Sequence, residues 1–286
     1  GAATWSGVFT GDAERWVLNG DVRMANASLA SYAAQTIAGP LDISADNGRI
    51  GLTGDLAVAG GRSEGIVGAL LGAAPRLSFE ASRLADGAIL LQKIDVRGQA
   101  LTVTGSGGRG LTGGLGFRGR ADITDVSRIR TGARGTFGGP IQATSARSGA
   151  PWVLTFDGRG GRIATGMAEL DRLLGATPRL QLAGSLDDGR IAVEQGILTG
   201  AAGTASARGL IEPQGRLRLA LNWNARGPFG VGPLAIDGAV TGAGALTGTL
   251  AQPRADLTAA FGKVAAGPLT LSDANLILSF RKGADA

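Results

Sequence analysis

The chain has 286 residues, 50 of them Gly, a net charge of +5, and neither Cys nor His. No disulfide framework, no Cys- or His-ligated zinc, iron or copper centre, and no Ser-His-Asp or Cys-His triad can be built from it. At 44% apolar and 18% charged it is too apolar for a disordered polyampholyte, and its Gly follows no three-residue period, which excludes collagen.

An enzyme of this composition would have to work with carboxylates, Arg, Lys, Ser, Thr or Tyr. Of the 28 basic residues, all but Lys93, Lys263 and Lys282 are Arg. They are dispersed, the densest stretch being Arg118, Arg120, Arg128, Arg130 and Arg134. A nucleic-acid interface wants tighter clusters, so no nucleic-acid partner is expected. Solvated surface or contact with anionic lipid fits better. The start, Gly1-Ala2-Ala3-Thr4-Trp5, lacks the basic and apolar blocks of a signal peptide, and no apolar run approaches the ~20 residues of a membrane span. The chain reads as an internal segment of something longer.

In chain order, the elements are mostly strands. Trp16 and Leu18 begin a period of two, and Asn47-Gly48 suits a tight hairpin. Residues 63–71 read as a short helix with Ser63 as N-cap, Gly72 as stop, and Pro three residues beyond. Asp86-Gly87 is a turn signal, and Leu101 and Val103 alternate. Gly105-Ser106-Gly107-Gly108-Arg109-Gly110 fits G-x-G-x-x-G, but the Gly-rich continuation forms helix poorly, so a glycine-rich turn is expected rather than a dinucleotide site. Trp152, Leu154 and Phe156 alternate before Asp157-Gly158, another expected turn. Residues 165–174 read as a second helix, capped by Thr165 and stopped by Gly175. Asp187-Asp188-Gly189 reads as a hairpin turn and not a catalytic carboxylate pair, and Ile191 and Val193 follow with period two. Leu217, Leu219, Leu221 and Trp223 share one strand face; Asp237-Gly238 signals a turn; Leu276, Leu278 and Phe280 end the series. A spacing of about 8–12 residues implies roughly two dozen strands in a long antiparallel meander.

The chain also repeats itself. Leu70-Leu71-Gly72-Ala73-Ala74-Pro75-Arg76-Leu77 recurs 103 residues on as Leu173-Leu174-Gly175-Ala176-Thr177-Pro178-Arg179-Leu180. Asp86-Gly87 recurs as Asp188-Gly189, Gly39-Pro40-Leu41 as Gly139-Pro140-Ile141, and both helices hold the same place in the unit. Partial copies stand at Gly232-Pro233-Leu234 and Gly267-Pro268-Leu269. The units are 1–104, 105–208 and a partial third, 209–286, along one continuous sheet. The apolar alternation has two readings, a core covered by a second sheet or an open wall that takes apolar ligands, and alternation alone does not choose. Two short helices are too little to cover so many strands, and so long a sheet must curl or close.

The helix with L-L-G-x-x-P-R-L at Leu70 to Leu77 and Leu173 to Leu180, followed by D-G-x-I at Asp86 to Ile89 and Asp188 to Ile191, resembles the TamB family (translocation and assembly module), within the AsmA-like group. Gly248 to Leu257 is similar to another strand pair of that family. Nothing resembles its C-terminal domain or N-terminal membrane helix. The resemblance implies a mainly β fold: a long antiparallel, repeat-built, curled sheet (a half-pipe or "β-taco" groove) with two short helices. It implies a periplasmic segment of an inner-membrane-anchored, non-enzymatic protein of outer-membrane biogenesis, working without a cofactor or metal. The expected partners are phospholipid acyl chains and, outside this segment, a TamA-type outer-membrane barrel. The expected role is a phospholipid conduit or, alternatively, a scaffold for outer-membrane protein or autotransporter assembly and secretion. The groove would be lined by Leu180, Leu182, Ile191, Val193, Leu217, Leu219, Leu221, Trp223, Leu276, Leu278 and Phe280.

Overall fold

A computed structural model describes residues 2–29, 32–63, 65–213, 215–231, 234–249, 252–266 and 268–281. The chain divides into two compact units, Gly1–Thr131 with Thr136–Ala150, and Gly132–Gly135 with Pro151–Ala286. The first contains β1 (Ala2–Gly11), β2 (Arg15–Leu29), β3 (Tyr32–Asp46), β4 (Arg49–Ala59), helix α1 (Gly65–Leu71), β5 (Arg76–Arg83), β6 (Ile89–Arg97), β7 (Leu101–Arg109), β8 (Leu115–Ile123), a 3₁₀ turn at Val126–Arg128, and most of β9 (Arg134–Ser145). The second contains β10 (Trp152–Ala164), helix α2 (Ala168–Leu174), β11 (Arg179–Asp187), β12 (Arg190–Thr199), β13 (Gly203–Ile211), β14 (Leu217–Arg226), β15 (Phe229–Val231), β16 (Leu234–Gly248), β17 (Pro253–Ala266) and β18 (Leu269–Arg281).

The fold is mainly β and antiparallel with two short helices, as alternation and turn signals predict. Each unit is a meander in which strands pair with their chain neighbours, β14 and β15 both lying against β16. The sheet is not closed into a barrel. The described residues form eighteen strands and not two dozen. Many strands outrun the expected spacing; β2, β3 and β16 each reach 15 residues. Residues 104 and 208 fall inside β7 and β13, so the repeat boundaries are phases of a pattern and not breaks in the sheet.

Two turn signals form tight hairpins as read. Asn47 and Gly48 (φ 48° and 80°) join β3 to β4, and Asp188 and Gly189 (φ 45° and 77°) join β11 to β12, left-handed at both positions as a two-residue hairpin requires. Asp86-Gly87 also lies in a turn, the Asp86 carboxylate accepting from the Ala88 N–H. Two other signals do not make turns. Asp157-Gly158 lies within β10, where alternation continues on both sides and Arg179 binds the Asp157 carboxylate. Asp237-Gly238 lies within β16 at a bulge against β17. Of the G-x-G-x-x-G stretch, Gly105 to Arg109 belongs to β7 and not to a turn, and no helix follows.

The helices start later than expected. Alpha-helix α2 has Met167 as N-cap, and Thr165 instead donates its Oγ1–H to the Asp171 carboxylate at 2.7 Å and accepts from the Met167 N–H. Helix α1 starts two residues after Ser63. Their C-termini follow one plan. The last carbonyls of a helix have no partner inside it. Here the carbonyls of Leu71 and Leu70 accept from the N–H groups of Gln99 and Ala100, and those of Leu174 and Leu173 from Ala201 and Ala202, all at 2.8–3.0 Å. Each helix is thereby strapped to the second hairpin turn beyond it. The Gly98 N–H to Leu101 carbonyl and Gly200 N–H to Gly203 carbonyl bonds are both 2.7 Å. Thr124 to Ala100 matches Arg226 to Ala202, and Val58 to Pro75 matches Gly160 to Pro178. The sequence repeat is thus a repeat of backbone hydrogen bonds. The strap demands glycine, because a Cβ on Gly200 would stand 2.3 Å from the Leu173 carbonyl oxygen.

Candidate functional site

In an antiparallel ladder, paired residues point to the same face, so the register sorts every side chain. In the second unit, Leu180 pairs with Leu198, Leu182 with Gly196, Ile191 with Ile211, Val193 with Gly209, Leu219 with Gly209 and Leu246, and Trp223 with Ala205 and Gly242. Leu276 joins the same face through Ala259 and Gly242. Leu180, Leu182, Ile191, Val193, Leu217, Leu219, Leu221, Trp223 and Leu276 therefore stand on one face of the sheet. The side chains of Leu278 and Phe280 lie outside the described residues; their backbones pair with Leu257 and Ala255 of that same face.

Up to the Phe261–Ala274 pair, the paired positions of this face hold Ala, Gly, Val, Leu, Ile, Phe, Trp and one Pro; past the β16 bulge, Lys263 pairs with Asp237 and Ser272. The opposite face holds most of the charge. On it Arg179 binds Asp157, and in the first unit Arg97 binds Asp95 and Arg120 binds Asp122, both at 2.8 Å. The guanidinium of Arg179 holds the Asp157 carboxyl below the usual carboxylate range, and Arg97 does the same for Asp95. None of the six ion pairs among the described residues stands on the apolar face.

The first unit has the same two-sidedness. Register aligns Phe9, Leu18 and Ile43, then Leu52 and Ala81, and further on Val96, Val103 and Ala121. All the lining residues expected from sequence lie in the second unit, because glycine takes many inward positions of the first. Those glycines carry flattened neighbours. A Cβ on Gly105 would lie 2.5 Å from Phe117 Cζ, one on Gly54 2.7 Å from Phe79 Cζ, and one on Gly242 2.2 Å from Trp223 Cε2. Aromatic rings lie over bare backbone on the next strand, which packs the wall with few large side chains. Trp223 Nε1 is buried by this stacking without a hydrogen-bond partner.

Little covers the wall. Ile236 and Val240 are within 1% exposed in a cluster with Ala225, Ala259 and Phe261, on which Leu173 of α2 packs, and Leu217, at the other end of β14, is 4% exposed. Away from this cluster and Leu217 the lining is half-buried, and Leu182 and Ile191 remain 38% and 36% exposed. The accessible surface totals 17131 Å². A compact monomer of 28.6 kDa would expose about 11,300 Å², and two separate compact halves about 13,600 Å² together. The excess over even the second figure reflects strand residues left accessible to solvent.

No three metal-ligating side chains gather among the described residues, and no helix is long and apolar enough to cross a membrane. These features define a repeat-built antiparallel sheet with one charged and one apolar wall. Comparisons with family models, characterised proteins and solved structures return no match.

Proposed function

We propose that this chain is a non-enzymatic lipid-carrying sheet, a segment of a TamB-like periplasmic conduit that passes phospholipid between the inner and outer membranes. One observation carries the reading: an uncharged wall, continuous across the strands of the second unit as far as the β16 bulge, that the chain itself leaves half-exposed. Apolar burial is worth about 0.8 kcal/mol per CH₂, so a 16-carbon tail seated fully on such a wall gains on the order of 10 kcal/mol. A tail sliding between equivalent apolar positions changes its energy little, and the headgroup stays in water. Neither chemistry nor a cofactor is required. The resemblance at Leu70 to Leu77 and Leu173 to Leu180 supplies the cellular setting, including the inner-membrane anchor and a TamA-type barrel as partners of regions beyond this segment.

Photo-crosslinking tests the proposal. A diazirine side chain at Leu180 or Leu219 should capture phospholipid, while one at Arg216 or Arg218 should not. Labelling from the arginine positions alone would place lipid on the wrong face. The second reading, a scaffold for outer-membrane strands, rests on edge pairing at β1, an uncharged ten-residue strand laddered on one side to β2. It predicts crosslinks to nascent barrel proteins from that edge instead.

A further inference from the structure

The two units serve as controls for one another. Along one rim of the first unit the register aligns Arg83 with Ile89, Ile89 with Arg109, and Arg109 with Leu115. The matching row of the second unit, 102–103 residues on, aligns Leu186, Ile191, Ile211 and Leu217. The central Ile and the terminal Leu are kept. The other two positions change from apolar to arginine. The second unit builds the same strands and bulges, and the same β13–β14 turn, with leucine and isoleucine there; its β11–β12 turn is one residue shorter than the β5–β6 turn, and the strand pairing itself does not require the arginines. They are also the only charged side chains at paired positions on the apolar face of the first unit.

Both side chains are exposed, and neither belongs to an ion pair among the described residues. Of the two carboxylates three residues from Arg83, Glu80 stands on the opposite face, paired with Lys93, and Asp86 accepts from the Ala88 N–H. Arg83 Nη2 lies 4.0 Å from where Gly87 would carry a Cβ, and Arg109 Nη2 lies 3.9 Å from the same point on Gly113. Each guanidinium therefore rests at its turn, where the apolar wall meets water. The two strands are two spacings apart, about 10 Å, so both arginines can reach one anion held above Ile89.

We propose that Arg83 and Arg109 form a headgroup site for an anionic amphiphile, a phosphate ester whose alkyl chain lies on the apolar wall of the first unit. The inference rests on the lipid reading above and adds to it a charge preference and a place. Guanidinium groups suit phosphate because they offer paired donors in a planar fork. The arrangement puts the cations at the edge of the wall, where an amphiphile changes from tail to head.

The test uses the whole chain and three probes: dodecyl phosphate, the neutral dodecyl maltoside, and inorganic phosphate. Each is measured by equilibrium dialysis below its micelle concentration and at low salt. The wild type should bind dodecyl phosphate about tenfold more tightly than dodecyl maltoside, two charge-assisted contacts being present, and inorganic phosphate far more weakly than either. The variant Arg83→Leu/Arg109→Ile copies the second unit's row. It should lose the preference and keep its maltoside affinity, while Arg83→Lys/Arg109→Lys should keep part of it. A preference that survives in the leucine–isoleucine variant overturns the site but leaves the lipid reading standing. Inorganic phosphate binding as tightly as dodecyl phosphate also overturns it, since the anion would then be held without the chain. If neither dodecyl probe binds, the apolar-wall reading fails and the headgroup site with it.

Discussion

The stacking of rings over glycine can be tested at Gly54 and Phe79, which pair directly across β4 and β5. A Cβ on Gly54 would stand 2.7 Å from both Cε1 and Cζ of Phe79 and 3.3 Å from Leu41 Cδ1, with only side chains in the way. In a strand, Gly→Ala ordinarily stabilises by roughly 0.5–1 kcal/mol. Here the methyl must push the ring off the wall, and such overpacking costs about 1–3 kcal/mol. The clash outweighs the gain, so Gly54→Ala should destabilise by about 1–2 kcal/mol. Phe79→Ala removes the ring, and in that background Gly54→Ala should turn neutral or stabilising. The coupling in the double-mutant cycle should then be about 1.5–3 kcal/mol, within the range for residues in contact. Urea unfolding followed by far-ultraviolet circular dichroism reads all four proteins. If Gly54→Ala stabilises the wild type as it stabilises Phe79→Ala, the ring does not need the bare backbone and the account of the glycine-rich wall is wrong.

Other outcomes follow from the same structure. Gly200→Ala should destabilise the fold by about 1–3 kcal/mol, because its Cβ meets the Leu173 carbonyl oxygen at 2.3 Å and the Leu174 Cα at 2.6 Å. Amide exchange at Ala201 and Ala202 should speed up in that variant, and an unchanged exchange rate would mean the helix strap is not held there. Gly98→Ala should act in the same direction but more mildly, its nearest contact being 2.7 Å. The Asp157 carboxyl is held below its ordinary value by Arg179, so its contribution is present above the unfolded value, about pH 3.9, and is lost as pH falls through the folded one. Wild type should exceed Asp157→Asn in stability at neutral pH and converge with it in acid; a gap that widens on acidification would contradict the pairing. At the β3–β4 hairpin, Gly48→Val should destabilise by roughly 1–3 kcal/mol, since a β-branched residue resists the left-handed backbone at φ 80°. Urea melts that match wild type would refute that.

Much of this protein is written in local order. Period-two alternation fixed the strands and put Leu217, Leu219, Leu221 and Trp223 together, because successive strand residues must face opposite ways. Asn47-Gly48 and Asp188-Gly189 announced their hairpins through backbone angles that few other residues accept. The 103-residue echo located both helices. What failed locally was decided by partners distant in sequence. Asp157-Gly158 has turn chemistry, yet Arg179, 22 residues away, binds the carboxylate within a strand.

Only the assembled ladders aligned the wall. Glycine at Gly105 and Gly242 carries no hydrophobic signal, and its place beneath Phe117 and Trp223 depends on which strand lies beside it and in what register. Likewise, Arg83 and Arg109 are 26 positions apart in the chain and become neighbours of one isoleucine only through the pairing of β5, β6 and β7. Sequence determines which face a residue takes within its own strand, since that is a matter of backbone geometry. Which residues of different strands share a place on that face is set by interstrand hydrogen bonding, and the tertiary structure alone decides it.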